Sequence, residues 1–244
     1  MNWPSTEDPG DLYPDPPPDV PPPPDVGTDV ERRPDVPRQP DVPRRLDVLP
    51  DGRATVVIGD VTGLSADVRQ QGDNPYGFMG TCGLCACMYV LRGFGIPVTE
   101  ADVVRHAVEN GECAISDDPA ESGGTTPRMW VRLLGDYGVP AHVERMRSLE
   151  QLASRIEQGR GVIIGANAGV LWDDATSYEG GRANHAVQVI GVSRDPTNGS
   201  IQGFYINDSG PGVGGRFVDA AIVDEAWLDR GGLAVVTDIV REVP

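Results

Sequence analysis

The stretch Thr81-Cys82-Gly83-Leu84-Cys85-Ala86-Cys87-Met88-Tyr89-Val90-Leu91-Arg92-Gly93-Phe94-Gly95 decides how the rest of the chain is read. Leu84, Met88 and Leu91 fall at i, i+4 and i+7, which gives a helix one apolar face, and Gly93 with Gly95 would end it. Cys82 then sits in the first turn. Unpaired N–H groups and the macrodipole favour negative charge there, so a thiol at that position loses its proton more easily than one deeper in the helix. A cysteine at a helix start also suits a small buried hydrophobe, so the reading turns on partners found elsewhere.

Two later stretches supply them. Asn184-His185-Ala186-Val187-Gln188-Val189-Ile190-Gly191-Val192 reads as a strand that opens with an imidazole. Gly203-Phe204-Tyr205-Ile206-Asn207-Asp208-Ser209-Gly210 reads as a strand that ends in a carboxylate. Cysteine, histidine and aspartate in that order are the nucleophile, base and orienter of a thiol hydrolase. Asn207 is a rival orienter, because neighbours on a strand face opposite sides and only one of the two can meet the histidine. Cys85, one turn beyond Cys82, is the competing nucleophile and is read as packing beneath the site.

Cys82-Gly83 on a helix, Gly123-Gly124-Thr125 ahead of another, His185-Ala186-Val187 on a strand and a strand ending in Asp208 together resemble the papain-like cysteine peptidases. The branch resembled is that of the bacteriocin double-glycine leader peptidases and their relatives in bacterial secreted and polymorphic toxins. The resemblance implies an α+β, papain-like fold in which the nucleophile helix packs on an antiparallel sheet. It also implies a cysteine endopeptidase that cleaves a protein substrate, in a toxin or effector met by a cognate immunity protein. Asp208 is preferred to Asn207 because it follows the last strand position and matches the leader-peptidase pattern, whereas papain has an amide there. The family's oxyanion glutamine lies six residues before the cysteine, but position 76 here is Tyr. Gln71 is the candidate in its place, with Gln70 and Asn74 behind it.

The net charge of −17 argues against nucleic acid or an anionic membrane as the main partner. All 20 basic residues are Arg, in keeping with GC-rich coding. No apolar run reaches the length of a membrane span, and the acidic N-terminus lacks the apolar core of a secretory signal. The expected location is the cytoplasm, or the outside by a specialised export route. Cys82, Cys85 and Cys87 crowd one helix, where disulfides among them would be strained. The C-x-x-C-x-C spacing, with His106, Cys113 or His142 as a fourth ligand, is set aside as zinc because a structural site wants two separated pairs in turns. No cofactor and no metal are expected, and His106 is taken as a helix-surface residue.

Residues 1–52 hold 15 of the 23 prolines, with Asp-Val recurring at 19, 25, 29, 35, 41 and 47. Fixed φ, missing donors and few large apolar groups predict a disordered, extended arm that serves as a linker. Residues 53–244 form the peptidase-like domain. Within it the sequence predicts a strand over Ala54–Gly59, helices over 99–110, 127–138 and 149–158, and an edge strand over 139–146. A buried strand over 161–168 follows. The His185 strand, the Asp208 strand and a last strand near 233–239 are expected to form a hairpin-linked antiparallel sheet, with 211–216 a flexible lip and a short helix over 224–228. Two alternatives differ in chemistry: a deamidase or acyltransferase using the same three groups, and a binding module that kept the fold without catalysis.

Overall fold

The computed structural model of the chain describes residues 41–241. The repeat-bearing arm up to residue 40 lies outside the described residues. In chain order the elements are β1 (Arg44–Val48), β2 (Ala54–Ile58), α1 (Val61–Ser65), α2 (Cys82–Gly93), α3 (Glu100–Glu109), α4 (Pro127–Asp136) and β3 (Ala141–Arg145). There follow α5 (Leu149–Glu157), β4 (Arg160–Ala166), α6 (Ala168–Trp172), β5 (His185–Arg194), β6 (Ile201–Asp208), β7 (Val213–Asp219), α7 (Ala220–Ala226) and β8 (Leu233–Val240). The class is α+β on an antiparallel sheet, as expected from the sequence.

The sheet has eight strands, ordered β1-β2-β5-β4-β8-β3, with β6 and β7 branching from β5. Strand β5 is its hub: it pairs with β4 through Ala166↔His185 to Val162↔Val189, then with β2 through Ile58↔Val192 to Val56↔Arg194. Its other edge carries β6, with Gln188 opposite Asn207. This register brings the end of β6 back beside the start of β5, which juxtaposes Asp208 and His185.

Alternation along the strands explains why the sheet is covered on both faces. Ile163, Ala186 and Val235 pack with α2, α3 and α4. Val162, Ile164, Val187, Ala234 and Val236 point the other way and pack with Leu152, Ile156, Val223 and Trp227 from α5, α7 and the turn after it. The continuous apolar run of β4 is therefore a strand buried on two sides. The second helical layer was not foreseen in the sequence as a layer, because α7 is short and amphipathic only over seven residues.

Three local readings change. Arg44–Val48, inside the stretch assigned to the proline-rich arm, is a strand paired with β2, and Val42 and Leu49 on either side of it are buried. Residues 213–219, which overlap the lip expected over 211–216, form β7 on the edge of β6. The last strand, β8, pairs with β3 and β4 and not with the Asp208 strand, so the carboxylate strand has β5 and β7 as neighbours. Glycine-rich sequence conceals β7, since two of its seven residues carry no side chain to show a period.

Helix α2 is buried all round from Cys82 to Leu91, not on one face only. Gly83 shows how tightly it is held: a Cβ there would collide with Thr125 Oγ1 and Trp130 Nε1. Those two atoms are themselves hydrogen-bonded at 2.6 Å, with Trp130 fully buried on α4. Thr125 and Trp130 thus lie close against α2 at Gly83, while Thr126 and Pro127 occupy the cap and first helical position of α4.

Candidate active site

Cys82 is the first residue of α2, as its sequence position requires, and its residue is 7% exposed. His185 opens β5 and Asp208 closes β6. The imidazole Nε2 lies 2.7 Å from Asp208 Oδ1, and the Cys82 sulfur is near enough to the ring to act on its charge. The three groups meet at the seam between the helix end and the sheet.

Burial by itself pushes the Cys82 thiol up, and it is outweighed. The His185 side chain, by hydrogen bond and charge, and the N–H groups of Ala186 and Gly83 hold the sulfur below its usual value. Burial likewise opposes the imidazolium, but Asp208 on one side and the sulfur on the other lift His185 from 6.5 to about 10. Asp208 is fully buried, yet its carboxyl is held below the usual range because three donors face it. These are the His185 ring, the Gly210 N–H at 3.0 Å on Oδ1 and the Trp172 indole N–H at 2.8 Å on Oδ2. A sulfur and a ring each shifted toward its charged form, beside a carboxylate, favour a thiol nucleophile.

No family model and no curated protein matches the chain. Among solved structures, a C39-like peptidase from Bacillus anthracis aligns over 78% of this chain and 99% of its own, with 18% identity and a TM-score of 0.53. The fold resembles that of C39-like peptidases. A double-glycine motif protease from an AMS/PCAT transporter, in complex with its leader peptide, aligns over 72% of this chain and 96% of its own, with 20% identity and a TM-score of 0.45.

Within the C39-like fold the rival residues separate cleanly. Asn207 turns away from His185: its amide donates to Leu64 O and Gln188 Oε1 and accepts from Gly215 N–H. Cys85 is buried under the site, and burial followed by the Glu100 carboxylate pushes its thiol well up. Cys87 and Cys113 are also free, buried and raised. Gln70 is exposed, and Asn74 is spent within its loop on Phe78 and Tyr76 backbone groups and Glu100.

Gln71 lies beside the seam. Its backbone N–H donates to Ser209 O, its Oε1 accepts from Ser209 Oγ at 2.9 Å and its Nε2 donates to Met79 O. The amide thereby ties the loop before α2 to the residue after Asp208, with one amide proton outside these bonds.

Two participants had no role assigned from the sequence. Trp172 both donates to Asp208 and sets its ring edge-on to the imidazole, centroids 4.9 Å apart. Its sequence signal was its place just before the histidine strand, which does not reveal where the indole N–H points. Glu100, in the first turn of α3, is buried and accepts from Gly72 N–H, Asp73 N–H, Asn74 Nδ2 and Thr81 Oγ1, the last at 2.7 Å. It is a positioning residue that pins the Gln71 loop and the residue before Cys82. Glu100→Gln sets an NH2 among those donors and is expected to weaken the loop by about 2 kcal/mol. Hydrogen exchange should then rise at residues 71–80 before it rises in β4 or β5; unchanged protection of the loop would refute the pinning role.

Proposed function

We propose that the chain is a cysteine endopeptidase that hydrolyses a peptide bond in a protein substrate through Cys82, His185 and Asp208. The observation that supports it is His185, which touches the Asp208 carboxylate through Nε2 and holds the Cys82 thiol below its usual value. In this reading the Cys82 thiolate attacks the scissile carbonyl carbon, and the imidazolium gives its proton to the departing amine. Water then attacks the acyl-sulfur bond, the imidazole takes the water's proton, and the thiolate is regenerated. Asp208 keeps the ring in the tautomer that presents the second nitrogen to the sulfur. The oxyanion is met by the Cys82 N–H, which as a first helical residue has no intrahelical acceptor, and by the remaining amide proton of Gln71.

The finer step, drawn from the resemblance, is a bacterial toxin or effector whose producing cell holds an immunity protein that covers the seam. The test is to express the full chain and Cys82→Ala in parallel and compare new protein N-termini across the proteome. New N-termini that depend on Cys82 support the peptidase. Glutamine-to-glutamate conversion or acyl exchange without new N-termini assigns deamidation or acyl transfer to the same groups. Identical proteomes reduce the chain to a binding module and overturn the proposal.

A further inference from the structure

Where the ends of α3 and α4 approach one another, three side chains from three separate segments converge. His106 stands in the last turn of α3, Asp136 ends α4, and Glu112 follows the left-handed turn at Gly111, whose φ is 67°. One ligating atom from each lies within 4.8 Å of the others. His106 Nε2 is 3.0 Å from Asp136 Oδ2 and 3.8 Å from Glu112 Oε2.

The Glu112 carboxylate distinguishes this place from an ordinary surface cluster. Its side chain is 4% exposed, the turn holds it in place by a 2.7 Å bond from its N–H to Ala107 O, and Oε2 has no hydrogen-bond partner among the described residues. The other oxygen faces Arg132 Nε at 3.3 Å, on a side chain that is mostly exposed. An unpaired, buried carboxylate oxygen is costly to maintain, and native proteins rarely leave one without a proton, a water or a cation. Two ligands of one zinc-sized ion, each about 2.0–2.2 Å from it, lie about 3–3.5 Å apart, close to the spacing here.

We propose that His106, Glu112 and Asp136 bind a divalent transition-metal ion of the zinc class. One imidazole and two carboxylates suit such an ion, and three protein ligands leave a position for water. The ion would join the end of α3 to the end of α4, the two helices packed against the nucleophile helix. The thiol site takes no part. Cysteine spacing does not reveal such a site, and a position in the last turn of α3 suggests an open helix surface for His106. The ring instead packs on Tyr137, with centroids 5.1 Å apart, and faces Glu112.

The test uses the full chain carrying Cys82→Ala, which removes the reactive thiolate as a competing ligand, after treatment with a chelator. Titration calorimetry with Zn²⁺ alone is expected to give one site, weakened at least tenfold by Asp136→Asn and by Glu112→Gln. Because Asp136 is half-exposed, its variant tests the site even where the buried Glu112 variant unfolds. Co²⁺ should give a ligand-field absorption without a sulfur-to-metal charge-transfer band. Absence of binding, binding unchanged in Asp136→Asn, or a charge-transfer band would each overturn the assignment and leave the cluster a His–carboxylate ion pair.

Discussion

His185→Ala abolishes the selective alkylation of Cys82. At pH 6 iodoacetamide is expected to modify Cys82 alone in the parent chain, because burial raises Cys85, Cys87 and Cys113 while His185 lowers Cys82. Without the ring, the same burial acts on Cys82 against the Ala186 and Gly83 N–H groups alone. A neighbouring opposite charge typically lowers a pKa by about 1–3 units, so the thiolate fraction at pH 6 should fall about 10- to 1000-fold and the labelling rate with it. Any Cys82-dependent hydrolysis should fall further, about 10⁴-fold or more, because the proton donor to the leaving group is lost as well. Equal labelling rates in the two proteins would sink the ion-pair assignment.

The same variant has a stability signature with a fixed sign. The folded His185 pKa, about 10, lies above its ordinary value of 6.5. The ring's stabilising contribution is thus complete below about pH 6.5 and is lost as pH rises through about 10. Asp208, held below 3.8, contributes above that value and loses its contribution as pH falls through its lower folded value. The stability gap between the parent and His185→Ala should therefore be widest near pH 5–6 and narrow toward pH 10, which urea unfolding across that range measures.

Why the three central positions were legible, and others were not, follows from where each sits on its element. Cys82, His185 and Asp208 stand at element ends, where periodicity begins or stops, so a linear reading locates them. The choice between Asp208 and Asn207 was open to argument because strand alternation says that they diverge without saying which meets the ring. The register Gln188↔Asn207 decides it, and register is a pairing between distant strands. Glu100 is harder still, because its partners span residues 72 to 81 and lie in a loop with no period. Strand β1 was hidden by a different effect: its Arg-Arg-Leu-Asp-Val continues the composition of the arm, and all five residues are exposed, so only its ladder to β2 marks it as sheet.

The number of donors around Asp208 leads to the second large effect. Both carboxylate oxygens are used, Oδ1 by the His185 ring and the Gly210 N–H and Oδ2 by the Trp172 indole. An asparagine has one acceptor end and one NH2 end. With its oxygen toward His185 and Gly210, the NH2 meets the indole N–H; turned round, it meets the other two donors. Either way a buried donor faces a donor, and the site accepts an aspartate where papain has an amide. Asp208→Asn should therefore cost about 3–5 kcal/mol of stability, as when one partner of a buried ion pair is removed. It should also lower any Cys82-dependent turnover by up to about 10⁴-fold through loss of the preferred tautomer. Trp172→Phe removes the opposing indole N–H and keeps a smaller aromatic ring in its place. In the double variant Asp208→Asn/Trp172→Phe part of the stability should return, because the amide can then direct its NH2 toward an apolar ring with no donor opposed to it. Turnover should not return, since the His185 ring still lacks its anionic partner. Additive losses in that double-mutant cycle, with no coupling between positions 172 and 208, would show that the indole is only packing and that the requirement for a carboxylate arises elsewhere.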